Sequence, residues 1–301
     1  MSFRKEHYMS YSGKQALPEY VDFSQHNTES IKDLFLKILS NGTHGFCFSL
    51  YEEGQKPGDE ITESQIRKRI EILKPHTQWI RTFSCTEGNE MIPIIAKEYG
   101  MKTLVGAWLG SDTEKNEEEI KGLLDLAAKG YVDIAAVGNE VLYRKDLNEA
   151  ELLQYIATVK SALPNIPVGY VDAYYEFVLK PALVDACDVV LCNCYPYWEG
   201  TAIEHSFQHM LSMYYQAQSV AQGKKVIITE TGWPSHGESL GGAIPSMENA
   251  LHYFIRMQLW AEKEGIESFY FSSFDEAWKT SSEGTVGAHW GIWDAKGELK
   301  F

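Results

Sequence analysis

No stretch of the sequence approaches the roughly 20 consecutive apolar residues that a membrane-spanning helix requires. Residues 1–26 are polar and lack the apolar segment of a secretory signal peptide. Taken at face value, the chain is expected to be soluble and cytoplasmic; if a signal peptide has been removed, it is expected to be secreted or periplasmic. We expect a monomer that does not associate with membranes.

Positive charge is also scarce. The 27 Lys and Arg residues are outnumbered by 42 Asp and Glu residues, which gives a formal net charge of −15. Such a chain repels nucleic acid and anionic lipid, and no basic stripe offsets this balance. We therefore expect no nucleic-acid partner, whereas a neutral ligand is compatible with the charge.

The sequence lacks the clusters that hold metals or phosphates. Its five cysteines, an odd number in apolar surroundings, are predicted to be buried free thiols: Cys47, Cys85, Cys187, Cys192 and Cys194. The nine histidines include no His-Glu-x-x-His motif of a metal hydrolase, and the glycine-rich residues 237–242 lack the Lys-Ser/Thr of a phosphate loop. We expect no metal and no cofactor.

What the sequence does contain is a regular alternation of apolar, β-prone runs with helical patterns. Of its residues, 44% are hydrophobic, enough for a large core. Eight runs are predicted strands: residues 45–50, 79–83, 102–109, 132–137, 167–171, 189–194, 225–229 and 268–274. Eight segments with apolar residues three or four apart are predicted helices: residues 30–39, 62–73, 90–99, 117–128, 149–163, 177–184, 203–222 and 246–263.

This alternation predicts an α/β protein, a single (β/α)8 TIM barrel. Near-continuous apolar strands are typical of a parallel sheet buried on both faces, and eight such strands close into a barrel. We predict one catalytic domain over residues 1–301, with residues 1–40 forming an N-terminal extension and a first helix that packs on the barrel. Active sites of such barrels lie at the carboxyl ends of the strands.

Two carboxylates stand at such strand ends. Glu230 follows the seventh run and precedes Gly232, and Glu140 follows the fourth run. A lone strand-end glutamate is more often solvated or ion-paired than functional, but strands four and seven face each other across the mouth of a barrel. Glycoside hydrolysis requires two carboxyl groups at one cleft, one protonated and one ionised. The pair therefore predicts this chemistry.

Two motifs around these residues resemble glycoside hydrolase family 17, the β-1,3-glucanases and related β-1,3-glucanosyltransferases. They are Val-Gly-Asn-Glu-Val at 137–141 and Thr-Glu-Thr-Gly-Trp-Pro-Ser at 229–235, and the resemblance extends over about residues 45–293. It implies a retaining mechanism with Glu230 as nucleophile, Glu140 as general acid/base and Asn139 at the 2-hydroxyl of the reacting sugar. Carboxyl groups about 5–5.5 Å apart and a covalent intermediate are then expected.

Two further strand ends resemble the same family. Tyr195, in the Asn-x-Tyr-Pro segment at 193–196, is predicted to hydrogen-bond the nucleophile and keep it ionised; the alternative is a buried aromatic residue with a satisfied hydroxyl. After the eighth strand, Glu276 and Lys279 match the family's Glu and Lys near the site. Their spacing also suits a purely structural ion pair on a helical turn.

Aromatic rings concentrate at the same strand ends and suit the C–H faces of pyranose rings. The remaining predicted substrate-binding residues are Tyr51, Trp108, Tyr197, Trp198, Trp233 and Trp278, with Arg81 and Asp172 as polar contacts. Single aromatic residues are more often part of the core. The alternative role of Arg81 is a structural salt bridge. The alternative role of Asp172 is to support the carboxylates.

The sequence therefore predicts a retaining glycosidase that acts on a laminarin-like β-1,3-glucan. A β-1,3-glucanosyltransferase is the alternative, because hydrolysis and transfer share one intermediate and differ in acceptor binding. A non-catalytic glycan-binding barrel and a metal-dependent barrel enzyme are the rivals from other classes. Cleavage within a chain or from its end stays open, since it depends on loops at the ends of the cleft.

Overall fold

The computed structural model describes residues 20–301, so residues 1–19 of the predicted N-terminal extension lie outside it. Its strands are β1 (Thr43–Cys47), β2 (Thr77–Arg81), β3 (Lys102–Ala107), β4 (Ile134–Asn139), β5 (Val168–Ala173), β6 (Val190–Asn193), β7 (Val226–Thr231) and β8 (Ser268–Tyr270). They pair in parallel in chain order, and β8 pairs back to β1 to close the barrel. The predicted (β/α)8 barrel is confirmed.

Helices surround this barrel. They are α1 (Thr28–Asn41), α2 (Glu63–Leu73), α3 (Met91–Glu98), α4 (Thr113–Ala128), α5 (Val141–Arg144), α6 (Glu149–Ala162), α7 (Tyr174–Leu179), α8 (Pro181–Ala186), α9 (Ile203–Val220), α10 (Met247–Glu264) and α11 (Thr280–Glu283). None of the helices within residues 20–301 is long and apolar enough to cross a membrane.

One predicted helix, residues 177–184, is divided in the structure into α7 and α8. Pro181 begins α8, and Lys180 before it has a non-helical backbone with φ −129° and ψ 81°. The proline ring disfavours the helical conformation for the residue that precedes it. The break therefore follows from one residue that the apolar spacing concealed.

The strands are apolar because both of their faces are covered. Every residue of β4 and β7 is buried. On the outer layer, Phe35 of α1 and Trp260 of α10 are fully buried against the barrel. Inside, the ring of Phe269 lies where a side chain at Gly45 would collide with it, at 2.5 Å. The core thus fills both the barrel and the space between barrel and helices.

Helix α1 precedes the first strand yet belongs to the outer layer. It packs against α10, and Phe35 makes edge-to-face contacts with Phe254 and Phe301, both with ring centroids 5.2 Å apart. Its first turn is fixed by a capping box between Asn27 and Ser30. The described part of the segment before β1 therefore packs on the barrel.

All five cysteines are buried free thiols, as predicted. Cys192 and Cys194 lie one residue apart near the end of β6, with their Sγ atoms 3.9 Å apart. Burial raises the pKa of Cys47 to about 12, so this thiol stays protonated. Within this fold these cysteines act as small apolar side chains.

Strand pairing is irregular at the two strands that precede the predicted carboxylates. Between β4 and β5 the register shifts from Ala136 to Asn139. Between β6 and β7, Cys192 pairs with Ile228 but Asn193 pairs with Glu230, so Thr229 is an additional residue on β7. Such irregularities bend a strand and re-aim its side chains.

Candidate active site

Glu140 and Glu230 line the same cleft at the carboxyl end of the barrel. Glu140 directly follows β4, and Glu230 is the next-to-last residue of β7. Together with the open solvent at its mouth, the cleft holds about 580 Å³ of space. The two predicted carboxylates, 90 residues apart in the sequence (230 − 140), therefore reach one site.

The turn that carries Glu140 has an unusual backbone. Glu140 has φ 52° and Gly138 has φ 85°, both in the left-handed region. A side chain at Gly138 would lie 2.7 Å from Cγ2 of Val141. Non-glycine residues in this region cost free energy and cluster at functional sites, where the surrounding structure enforces them. The backbone N–H of Glu140 is held by the carbonyl of Val171 at 2.8 Å.

The environment of Glu140 favours its neutral form. Burial is the largest cause, the charge of Glu230 adds to it, and together they raise the pKa of Glu140 to about 7. A hydrogen bond of 3.0 Å from Nδ2 of Asn193 opposes this shift, as do Arg144 and Arg81. Glu140 can therefore still hold a proton near neutral pH, as a general acid must.

Glu230, in contrast, contacts a positively charged side chain and a hydroxyl donor. Its Oε1 atom lies 2.8 Å from Nη1 of Arg81, and its Oε2 atom accepts a 2.8 Å hydrogen bond from the hydroxyl of Tyr195. Glu230 is 6% exposed and Arg81 1%. A charged partner and a hydroxyl donor together hold this buried carboxylate in one position.

Arg81 also reaches the residue beside Glu140. Its Nη2 donates to Oδ1 of Asn139 at 2.7 Å, while its Nη1 contacts Glu230. The planar guanidinium holds both groups at once. Because the carbonyl oxygen of the Asn139 side chain is used, the amide nitrogen is left to donate to a ligand. The predicted salt bridge of Arg81 is thus part of the site itself.

Four of the predicted residues line the cleft: Glu140, Tyr195, Trp198 and Glu230. Eight more lining residues were not among the predicted catalytic and substrate-binding residues, although Tyr174 is one of the aromatic residues that concentrate at the strand ends: Tyr143, Ala173, Tyr174, Tyr175, Asn193, Glu199, Phe271 and Glu283. Several of them directly follow a strand, as Tyr174 follows β5, so the rule of strand ends identifies them in retrospect. Glu283 follows no strand and carried no such signal.

The loop after β8 supports the cleft from one side. Oε1 of Glu276 accepts the backbone N–H of Tyr51 at 2.9 Å, and its Oε2 contacts Nζ of Lys279 at 2.6 Å. Tyr51 packs edge-to-face on Trp278, with ring centroids 5.7 Å apart. Of the two sequence alternatives, the structural ion pair is present. Nζ of Lys279 also lies 4.4 Å from the ring centre of the cleft residue Phe271.

Three predicted substrate residues lie behind the cleft wall. Asp172 is fully buried and accepts hydrogen bonds from the Tyr170 hydroxyl and the Ala173 N–H. Tyr197 and Trp233 are 2% and 1% exposed. A sugar has no surface to contact at these positions, so we assign them to support of the wall. Asp172 acts through Tyr170, whose hydroxyl also accepts the Leu142 N–H just after Glu140, at 3.1 Å.

Trp108, by contrast, is 40% exposed at the end of β3. The guanidinium of Arg144 lies 4.4 Å from its ring centre, and Arg144 also donates to the carbonyls of Asn139 and Leu109. The backbone N–H of Trp108 donates a 3.0 Å hydrogen bond to the carboxylate of Glu119 in α4. An exposed, rigidly held indole at the barrel mouth is suited to stacking on a sugar ring.

The loop after β7 ties the walls of the cleft together. The Tyr197 hydroxyl donates to the carbonyl of Glu238 at 2.6 Å, and the Glu238 N–H donates to Oγ1 of Thr285 at 2.8 Å. Gly242 donates to the carbonyl of Gly200, also at 2.8 Å. Loops that follow three successive strands are thereby fixed to one another.

Among residues 20–301, no group of three or more His, Cys, Asp or Glu residues is arranged to hold a metal.

Comparison with known families and proteins identifies a matching family model and similar named proteins. Residues 45–291 match the model of the BtgE/BtgC glycoside hydrolase domain. A Candida albicans protein named glucan 1,3-beta-glucosidase BGL2 is 31% identical over 258 residues, which cover 77% of this chain and 83% of that protein.

Solved structures give the same result. A family 17 beta-1,3-glucanosyltransferase from Rhizomucor miehei is 29% identical and superimposes with a TM-score of 0.76. An active-site mutant of this enzyme in complex with laminaritriose superimposes with a TM-score of 0.77, again at 29% identity. Each alignment covers 87% of this chain and 96% of the other.

Proposed function

The chain belongs to the BtgE/BtgC glycoside hydrolase domains, within glycoside hydrolase family 17, and on that premise we propose that it cleaves β-1,3-glucan with retention of configuration. The observation that carries this proposal is the contrast between two carboxyl groups in one cleft. Glu140 is partly buried and retains a proton up to a pH of about 7, whereas Glu230 is paired with Arg81 and Tyr195. Retaining hydrolysis needs this division of roles.

In the first step Glu140 gives its proton to the oxygen of the glycosidic bond. Glu230 attacks the anomeric carbon at the same time, the bond to the leaving sugar breaks, and a glycosyl ester forms on Glu230. The Tyr195 hydroxyl and Arg81 hold the attacking carboxylate in place. The amide nitrogen of Asn139 is positioned to donate to the sugar that reacts.

In the second step Glu140, now ionised, takes a proton from an incoming hydroxyl group. The oxygen of that group attacks the anomeric carbon, the ester bond to Glu230 breaks, and both carboxyl groups return to their initial state. If the hydroxyl belongs to water the reaction is hydrolysis, and if it belongs to a sugar the reaction is transfer.

Kinetics with two variants test these roles. Glu230→Gln should abolish laminarin cleavage while sparing oligosaccharide binding. Glu140→Gln should retain much of its first step on an aryl β-glucoside with a good leaving group, because such a group needs no proton. Added azide, which attacks without a general base, should then speed turnover of Glu140→Gln alone.

Glu298→Gln is the matched control, since it removes the charge of an exposed glutamate that does not line the cleft. It should behave as wild type. Turnover of laminarin that survives Glu230→Gln would contradict the assigned nucleophile. A wild-type protein that leaves laminarin intact would contradict the proposed function as a whole.

One observation favours transfer as a second function. The cleft in which leaving and incoming sugars must lie is lined by four aromatic residues, Tyr143, Tyr174, Tyr175 and Trp198. Such aromatic walls bind pyranose rings and leave less room for water. Incubation with laminari-oligosaccharides should then give products longer than the starting material at early times. Only shorter products, at any oligosaccharide concentration, would favour hydrolysis.

A further inference from the structure

Arg144 is the last residue of α5, the four-residue helix that directly follows Glu140. This helix is bounded by two residues with a left-handed backbone, Glu140 with φ 52° and Lys145 with φ 63°. Non-glycine residues keep such a conformation only where the surrounding contacts enforce it. The direction of the Glu140 carboxyl group therefore depends on the contacts that hold this turn.

Hydrogen bonds hold the peptide groups on both sides of Glu140. Nη1 of Arg144 donates to the carbonyl of Asn139, in the peptide group that precedes Glu140. The N–H of the same peptide group donates to the carbonyl of Val171 at 2.8 Å. On the other side, the carbonyl of Glu140 accepts the backbone N–H of Arg144, also at 2.8 Å. Arg144 thus supplies one contact on each side of Glu140.

The side chain of Arg144 is itself held by three further groups. Its Nη2 donates to the carbonyl of Leu109 at 2.8 Å, and its Nε lies 2.7 Å from Oδ2 of Asp146. Its guanidinium lies 4.4 Å from the ring centre of Trp108, within the range of a cation–π contact. Because the guanidinium is planar and its donors have fixed directions, these contacts also set the direction of Nη1. Arg144 therefore ties the turn after β4 to the segment after β3.

The two mechanistic carboxyl groups differ in what positions them. Glu230 lies within β7, where it pairs with Asn193 of β6, and its carboxylate oxygens contact Arg81 and Tyr195. Glu140 lies one residue beyond the end of β4, in the left-handed turn. A general acid must lie within hydrogen-bond reach of the oxygen that it protonates. A small rotation of this turn would therefore impair proton transfer before it impaired attack by Glu230.

We propose that Arg144 is a positioning residue for proton transfer, because its guanidinium holds the carbonyl of Asn139 and thereby directs the carboxyl group of Glu140 towards the glycosidic oxygen. This proposal rests on the proposed function. Arg144 transfers no proton and acts through Glu140. Its loss should impair the steps in which Glu140 moves a proton and should preserve attack by Glu230.

Two substrates with different leaving groups separate proton transfer from other roles. Arg144→Met should lower kcat/KM at least about tenfold for a laminari-oligosaccharide, whose leaving sugar must be protonated. For an aryl β-glycoside with a good leaving group, which needs no proton, the loss should stay below about threefold. Arg144→Lys should lie between wild type and Arg144→Met on the oligosaccharide, because an ammonium group can still donate to one carbonyl.

Arg67→Met is the matched control. The side chain of Arg67 is 32% exposed and that of Arg144 25%, and both form ion pairs, but Arg67 contacts Glu63 and Glu98 instead of the turn. This variant should match wild type on both substrates. Glu140→Gln is the reference for a lost acid, since it should lose far more activity on the oligosaccharide than on the aryl glycoside.

The ratio of the two losses decides the outcome. Equal losses on both substrates in the Arg144 variants would show a general structural role and overturn this proposal, and so would an unchanged kcat/KM for the oligosaccharide. If Arg144→Met does not fold, Arg144→Lys is judged by the same ratio. If Glu140→Gln shows the selective loss and the Arg144 variants do not, this proposal fails and the proposed function stands. If Glu140→Gln shows no selective loss, the proposed role of Glu140 fails and this proposal fails with it.

Discussion

Replacing Glu140 with Gln should make the protein more stable at neutral pH while removing its activity on laminarin. The folded protein holds Glu140 in a partly buried site close to Glu230, which disfavours its ionised form. Gln has nearly the same shape, and its carbonyl oxygen can still accept the hydrogen bond from Asn193. The substitution therefore removes the disfavoured charge and preserves the contact.

The size of this effect follows from the pKa of Glu140. Folding raises it from 4.5 to about 7, a difference of 2.5 (7 − 4.5). Each unit corresponds to about 1.4 kcal/mol, so the penalty in the free energy of unfolding reaches about 3 kcal/mol. For a domain of this size that corresponds to a gain of about 5 °C in unfolding temperature for the Gln variant.

The effect should depend on pH in a defined way. Below pH 4.5 Glu140 is protonated in both the folded and the unfolded chain, so its charge adds no difference. Between pH 4.5 and about 7 the unfolded chain loses this proton and the folded protein keeps it, so wild-type stability falls relative to the variant. Above about pH 7 the difference stays constant.

Urea unfolding of ligand-free wild type and Glu140→Gln at pH 4, 5.5 and 8 would measure this. The difference in free energy of unfolding should be near zero at pH 4 and largest at pH 8. Glu298→Gln should show no such trend, because its side chain is exposed. An advantage of the Glu140→Gln variant that is equal at all three values, or a variant less stable at pH 8, would refute the reasoning.

Three further predictions concern the same cleft. The kcat/KM for laminari-oligosaccharides should fall above a pH of about 7, as Glu140 loses its proton; a profile still rising at pH 9 would exclude Glu140 as the acid. Arg81→Lys should lower kcat/KM at least tenfold, because an ammonium group cannot hold Glu230 and Asn139 as the guanidinium does; steady-state kinetics equal to wild type would count against this network. Gly138→Ala should lower the free energy of unfolding, measured in urea, by about 1–3 kcal/mol. This loss should exceed that of Gly130→Ala, because both glycines have φ above 80° but only Gly138 has a neighbour within 4 Å. Equal losses would argue against the clash with Val141.

The barrel was predictable because burial on both faces leaves a strong trace in sequence. Strands such as β4 and β7 are buried throughout and begin as apolar runs of at least three residues. Where such a run ends, a carboxylate is conspicuous, and this identified Glu140 and Glu230. The division of 177–184 into two helices was missed because apolar spacing outweighed the signal of Pro181.

The rest of the cleft could not be predicted, because the sequence does not show in which direction each side chain points. Asp172 and Trp233 lie at strand ends, as the prediction required, but their side chains point behind the wall. At an irregular strand end, a shift of one residue decides whether a side chain points into the core or into the cleft. Glu283 was missed for a different reason: a short helix after β8 brings it back to the mouth, and no periodic pattern marks such a segment.

The shifts in strand pairing below Glu140 and Glu230 separate two tasks along the same chain. Up to Ala136 in β4 and Ile228 in β7, pairing with the neighbouring strand is regular and serves to close the barrel. Beyond those residues the backbone no longer follows the neighbouring strand residue for residue. Evolution or design can therefore repack the barrel floor for heat resistance without displacing the reacting groups, whereas a single inserted or deleted residue above the shifts would leave a folded protein with its chemistry out of alignment.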